Sequence, residues 1–490
     1  MIAAPVLLLA ASVVAFSQVH ISPMAGRWFP AEKSALTAAL DASIEKAALR
    51  SGGAPPRPGL AALIAPHAGI QYSGVAAASV YRLIGKPANV IVLGFVHRFP
   101  VDGIASPKVS SYRTALGEIE VNQEIVDQLG FIQRDEGALC DHSVENQLPL
   151  IQRFVPEAKI VPLYAGALDE TGLRAAARKL AKRLQAGDLV IASSDFTHYG
   201  DGYQYTPFPK DRSLAARLKD RAVEAFENIG SLETALFDRF LARTGDTICG
   251  RDPIRLLMAT LTALGGDYYM STADYYSSGD LSGDHTTSVG YGGLAFYPAA
   301  SFTVGEAHRT ALLRSSRQAL DAYLSAKAAP VTEPNPELQH RTGVFVTIRK
   351  RGELRGCLGT LSPREAIEAT VLDRTLAAAR SDPRFPPLSK SEGPVSLEIS
   401  LLTPLKLIPG WRHYRAGLGA ALSLGDKGGL LLPQVAEEMG WNQEQFLENL
   451  SVKAGLGPRA YRDPKARLYI FSAQVFGEEP PQRKAAAGSP

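Results

Sequence analysis

Two histidines, an aspartate and a cysteine stand where an α/β fold builds its sites. His67 follows the apolar run PGLAALIAP and His97 follows ANVIVLGFV. Asp195 follows DLVIASS, with His198 three residues further on. Apolar runs of this kind, bounded by turn residues, read as buried strands of an α/β sheet. Ligands of such sheets bind outside the carboxyl ends of the strands. Three segments therefore bring metal-competent or proton-transferring side chains to one edge of one sheet. Cys249 is a fourth element, lying in GDTICGRDPIRLLMATLTAL. It precedes a predicted helix over 254–264, with Asp252 as its cap and Pro253 in its first turn. The helix dipole and Arg251 are expected to favour a Cys249 thiolate, a nucleophile or a metal ligand.

Two imidazoles and one thiolate suit iron or copper, and can also hold zinc. Asp195 could orient a liganding imidazole from behind. His198, ordinarily titrating near neutrality, is the candidate general acid/base. The competing structural reading makes Asp195 a turn cap and Cys249 a small buried apolar residue. His142 in CDHSVENQLPL reads as part of a helix start, capped by Asp141 or Ser143. His285 in SGDHTTSVGYGG is a weaker candidate. Near the other end of the chain, GELRGCLGTLSP has Gly356 and Gly359 flanking Cys357, which predicts a strand bend or a close backbone approach. Arg355 could take an anion there. Arg384 and Asp382, in the proline-fixed loop 381–389, are expected to pair.

The elements that position these residues fall into two domains. Helical segments at 172–184 and 211–229 alternate with strands, which predicts a layered α/β domain over 21–298. HTTSVGYGGLAFY would be a late strand of its sheet. Residues 303–477 read as α+β: a long helix, a hairpin turning at Arg351-Gly352, a strand PVSLEISLLTPLKLI, and two short helices after residue 433. The short junction predicts packed rather than tethered domains. Residues 478–490 are polar and Ala/Pro-rich, and are expected to be disordered.

A chain of 490 residues exceeds one ordinary core. Its 52 Lys+Arg against 49 Asp+Glu call for neither nucleic acid nor an anionic membrane as partner. Three cysteines make no disulfide framework and suit a reducing compartment, so a cytoplasmic location is expected. Residues 1–20 form an apolar extension or a weak signal-like segment. Ala15-Phe16-Ser17 resembles a cleavage site, but no Lys or Arg precedes Arg27, so export is the alternative.

The segments AGRWFP, APHAGIQYSG, VLGFVHRFP, DHSVENQLP, ASSDFTHYG and TICGRDPI, in that order, resemble the Memo family. That resemblance implies a class III extradiol-dioxygenase-like fold with a central mixed sheet. It also implies metal ligands at His67, His97 and Cys249, with Asp195 and His198 in the same pocket and Trp28 and Tyr72 in its wall; His142 is a further candidate for the substrate pocket. Two departures stand out: Met24 where a histidine can occur in the family, and Arg98 in place of the second histidine of an SHH-like motif. The dioxygenase relatives use a carboxylate as third ligand where Cys249 stands here, so dioxygenase activity does not carry over. LRGCLGTL, SDPRFPPL, VSLEISLLTP, LLPQVAEEMGW and FLENLSVKAGL resemble an AMMECR-type domain. The two families occur beside a radical SAM protein in the AmmeMemoRadiSam set.

The expected protein therefore holds one iron or copper ion, with zinc as the alternative and no organic cofactor. It performs redox or oxygenase-like chemistry on an unknown small molecule or peptide group, with His198 moving a proton. The C-terminal domain would bind substrate or a partner such as the radical SAM protein. Two other classes compete: a non-catalytic metal-handling scaffold, and a metal-free hydrolase with Cys249 as nucleophile, His198 as base and Asp195 as orienter.

Overall fold

The computed structural model describes residues 18–51, 56–328 and 335–478. Residues 1–17 of the signal-like segment and the tail beyond Glu478 lie outside them; the segment's last residues enter a short strand, Val19–Ile21, paired with Ser111–Thr114. Glu478 itself is held in place: Arg317 donates to its carboxylate, and that carboxylate accepts from the Leu397 N–H at 2.9 Å.

The predicted strands form at Ala62–Ala65, Asn89–Gly94 and Leu189–Ser193. They are neighbours in a nine-stranded mixed sheet, in the order 62–65, 189–193, 89–94, and all run parallel. Their residues are almost wholly buried, because helices cover a parallel sheet and leave no face for polar residues. His67, His97 and Asp195 each lie two or three residues past a strand end, so the three strands deliver them to one edge. The late strand forms as Ser288–Pro298 and pairs antiparallel with Ala62–Ala65. Helices Glu170–Arg183 and Leu214–Gly230 match the sequence expectation. The helix after Cys249 spans Arg251–Leu264 and packs on Glu170–Arg183 and on strand Leu189–Ser193. Its N-cap is Gly250, not Asp252. Asp252 sits inside the first turn, 3.6 Å from Arg255.

The C-terminal part holds two four-stranded antiparallel sheets with separate cores. The hairpin Gly343–Lys350/Glu353–Thr360 turns at Arg351 and Gly352, both with positive φ (56° and 86°). That is the type I′ geometry whose twist matches the flanking strands. PVSLEISLLTPLKLI is two strands, not one: Ser396–Leu402 belongs to the first sheet and Lys406–Ile408 to the second. Pro404 lies between them, where its missing N–H suits the crossover.

The strand bearing Cys357 lies at a sheet edge. A bulge falls opposite Ile348/Arg349, and a Cβ on Gly356 would lie 2.3 Å from the Ala378 carbonyl. The glycines thus mark both the expected bend and the expected close approach. The free edge is closed by side chains. The Cys357 N–H donates to Asp382 at 2.8 Å, and Arg384 donates both to Asp382 (2.7 Å) and to the Cys357 carbonyl (3.2 Å). Arg355 holds no free anion site: its fork is filled by Glu392 at 2.7 and 2.8 Å and by the Pro386 carbonyl. Asp382→Ala leaves the Cys357 N–H unpaired and Arg384 with only the Cys357 carbonyl. It is expected to destabilise the C-terminal domain by about 1–3 kcal/mol, read as a lower urea midpoint with an unchanged slope.

The two parts touch through charged and aromatic contacts. Glu227 accepts from Arg467 and, at 3.0 Å, from the Tyr469 hydroxyl. Arg415 pairs with Asp267 at 2.7 Å. Leu236 packs on Leu407, Ala421 and Tyr469. These contacts agree with the packing expected from the short junction.

Candidate metal centre

His67 is the pivot of the site. Its imidazole is buried, with Nδ1 3.0 Å from the Ser193 hydroxyl and Nε2 3.4 Å from Cys249 Sγ. The Ser193 hydroxyl is itself fixed. Tyr81 donates to the Gln147 side-chain carbonyl at 2.9 Å, so the Gln147 amide NH2 must face Ser193, which it reaches at 2.8 Å. Asn146 donates to the His67 carbonyl at 2.6 Å. Burial first, then the neighbouring His142 and His97, hold His67 well below its ordinary pKa. It is therefore a neutral imidazole, the form that ligates a metal.

His97 is set by Asp141. The carboxylate accepts from His97 Nδ1 at 2.8 Å and from its backbone N–H at 3.0 Å. Burial works against this carboxylate, but the His97 hydrogen bond and the His142 ring keep it well below the usual range. Asp141 also caps the short helix His142–Glu145 through the Ser143 N–H at 2.9 Å, as the sequence suggests. That helix does more than pack. It places His142 face to face with His97 at 3.9 Å between ring centroids, and Trp28 covers the other face of His142 at 4.4 Å. Burial and the His97 ring lower His142 to about 4.

Asp195 does not orient an imidazole. Its Oδ1 accepts from the backbone N–H groups of His67 (2.9 Å) and Ala68 (3.3 Å), so it shapes the loop that carries His67. Burial raises it to about 7 against those donors. His198 is oriented by Thr247 instead: its backbone N–H meets the Thr247 hydroxyl at 2.8 Å, and its Nδ1 meets the Thr247 carbonyl at 3.2 Å. A carbonyl only accepts, so Nδ1 carries the proton and Nε2 the lone pair. Burial lowers His198, which stays neutral near neutral pH.

Cys249 departs from expectation in its charge. Burial, followed by the charge of Asp195, pushes its thiol up, and Arg251 points away to solvent beside Asp252. Sγ lies against His67 and accepts the Asp195 N–H at 3.3 Å. The imidazole beside the thiol is thus His67 rather than His198, and Asp195 supports neither ring, so the hydrolase relay is not assembled. A thiol that must ionise to ligate releases a proton on metal binding. Affinity is therefore expected to tighten about tenfold for each pH unit gained. The slope steepens below about pH 7, where Asp195 is protonated as well. Titration calorimetry in two buffers of different ionisation heat would count about one proton per ion above that pH, and none for Cys249→Ser.

Two sets of possible ligand atoms lie within 4.8 Å of one another among the described residues: His67, His97 and His142, and His67, Asp195 and Cys249. His97 and Cys249 fall in different sets and meet through His67. Beside them opens a cavity of about 510 Å³, lined by Arg27, Trp28, Tyr72, Asp195, His198, Tyr203 and Tyr291. Trp28 and Tyr72 thus reach the pocket as expected. Arg98 does not; it donates to the Cys140 carbonyl at 3.0 Å. His285 faces Asp280 at 3.7 Å and joins neither set. Sequence reasoning missed Ser193, Gln147 and the role of Asp141. For Gln147 and Asp141 the signal was the density of polar residues in DHSVENQ, four of whose six polar side chains are buried.

Residues 22–295 match the family model described as Memo-like protein. The chain belongs to the Memo-like family. Residues 313–476 match the AMMECR1 model, so both domains occur in one chain. The MEMO1 family protein MK0963 of Methanopyrus kandleri is 32% identical over 249 residues, 48% of this chain and 83% of that one. Protein MK0488 of the same organism is 40% identical over 185 residues, 35% of this chain and 88% of that one. The crystal structure of the uncharacterized protein PH0010 from Pyrococcus horikoshii shares 36% identity, covering 35% of this chain and 91% of that chain with a TM-score of 0.33. Among the described residues of this Memo-like chain, no helix is long and apolar enough to cross a membrane.

Proposed function

We propose that the Memo-like domain binds one iron or copper ion through His67, His97 and Cys249. The ion would serve redox or oxygen-dependent chemistry on a small molecule or peptide group in the adjoining cavity. The supporting observation is convergence: imidazoles anchored from behind, a thiol and a carboxylate meet around His67 Nε2 beside an aromatic-walled cavity. Anchoring of the far ring nitrogen is how proteins hold metal-binding histidines, and mixed imidazole–thiolate donors suit iron and copper, or zinc. A bound iron or copper ion would supply electron transfer and activation of oxygen or substrate.

The chain's own residues supply the rest. His198 offers Nε2 to the cavity as a proton acceptor, held by Thr247. Trp28, Tyr72, Tyr203 and Tyr291 present ring surfaces to a guest, and Arg27 adds one cationic group. We read the domain's layering as extradiol-dioxygenase-like. We read the AMMECR1 domain as a binding element for substrate or for a radical SAM partner.

Metal analysis of anaerobically purified protein tests this reading. About one iron or copper per chain is expected, with a sulfur-to-metal charge-transfer absorption that Cys249→Ser removes. Protein that holds no metal as purified, and takes up none of iron, copper or zinc on reconstitution, would sink it.

A further inference from the structure

We propose that His142 is itself a metal ligand, the third imidazole of a centre that also takes His67, His97 and Cys249. The inference rests on the metal reading above and extends its donor set. Three observations place His142 there. Its ligand nitrogen lies within 4.8 Å of those of both His67 and His97, which makes these three a tighter group than His67, His97 and Cys249. One carboxylate serves two rings: Asp141 Oδ1 lies 2.8 Å from His97 Nδ1 and 3.4 Å from His142 Nδ1. With both Nδ1 atoms drawn to one oxygen, the two Nε2 atoms face away from it on the same side. Neither Nε2 meets a hydrogen-bond partner among the described residues. His67, held at Nδ1 by Ser193, completes the pattern with its own Nε2.

A purely structural His142 explains less. Stacking between Trp28 and His97 needs only a flat ring, and a helix-start residue needs no imidazole at all. Neither accounts for an imidazole whose outer nitrogen is left free beside two others. The three rings stand at centroid separations of 3.9, 5.3 and 5.6 Å, with ligand nitrogens within 4.8 Å of one another around one space; because His97 and His142 stack at 20°, one of these two rings must turn for both lone pairs to reach one ion. Cys249 approaches that space from the His67 side, 3.4 Å from His67 Nε2. An ion there would meet three imidazole nitrogens and one thiolate, with Asp195 close at hand.

His142→Phe separates ligation from packing, because phenylalanine keeps a flat ring between Trp28 and His97 but has no nitrogen. The probes are Co²⁺ for affinity and absorption, and Cu²⁺ for pulsed electron paramagnetic resonance, both on the full chain. Wild type is expected to bind one ion with three imidazole nitrogens. His142→Phe is expected to bind more than about tenfold more weakly, with two, while the thiolate-to-cobalt absorption remains. His142→Gln, which fills the site with a polar chain of similar reach, serves as the second variant and is expected to show the same loss of one nitrogen. An unchanged nitrogen count and affinity in His142→Phe would overturn the role of His142 and leave the metal reading standing. A wild-type chain that binds neither ion would overturn both.

Discussion

His67→Ala is expected to abolish stoichiometric metal binding, weakening affinity by well over about a hundredfold. Removing an orienting partner of a ligand typically costs 10–100-fold, and His67 is a donor common to both ligand sets. No neighbour can replace it. Its Nε2 is the point where Cys249 and the His97/His142 pair meet, and a methyl group leaves the two halves without a shared atom. The fold should survive, because the strand Ala62–Ala65 ends before it and the loop stays tied by Asp195 and Asn146. Equilibrium dialysis against Co²⁺, beside circular dichroism of the same sample, separates lost binding from lost structure. Wild-type affinity in a folded His67→Ala protein would contradict this geometry.

Gly250→Ala is expected to give the largest loss of stability from a single methyl group near the site. A Cβ there would lie 2.4 Å from Ser194 Cβ and 2.5 Å from the Ser193 carbonyl. That carbonyl is backbone of a buried central strand and cannot swing aside. Overpacking of this kind costs about 1–3 kcal/mol, and the rigid neighbour places this change at the upper end. The strain must relax by moving helix Arg251–Leu264 away from the sheet, and Cys249 moves with it, away from His67. Reduced thermal stability of the metal-free protein and weaker sulfur-to-metal absorption are therefore expected together. A stable variant with an unaltered absorption would show that the strand end yields more easily than its burial implies.

Much of the scaffold was legible in the residues because it is local. Period-two and continuous apolar runs marked the strands ending before His67, His97 and Asp195, and a 3.6-residue pattern marked helices 170–183 and 214–230. Gly352 announced its hairpin because a two-residue turn needs positive φ, which glycine takes without strain; Arg351 adopts it as well, at 56°. The segment 394–408 reads as one strand for the same reason in reverse: its apolar pattern runs on through Pro404, and only packing shows that the chain changes sheets there.

By itself, then, the sequence determined that His67, His97 and Asp195 stand at strand ends of one buried sheet, with Cys249 just ahead of a helix. Tertiary structure alone decided what each of them does, because bonding and ionisation depend on neighbours far along the chain. Asp195 grips a backbone loop rather than a ring, because the strand beside it ends at Ala65 and its next turn brings the His67 N–H to the carboxylate. The helix dipole that would ionise Cys249 is outweighed by burial and by Asp195. His142, locally an ordinary helix residue, faces His97 because Asp141 binds both the helix it begins and the ring of His97. A residue's type and local spacing say which chemistry it can perform; the order of strands in the sheet says which residues perform it together.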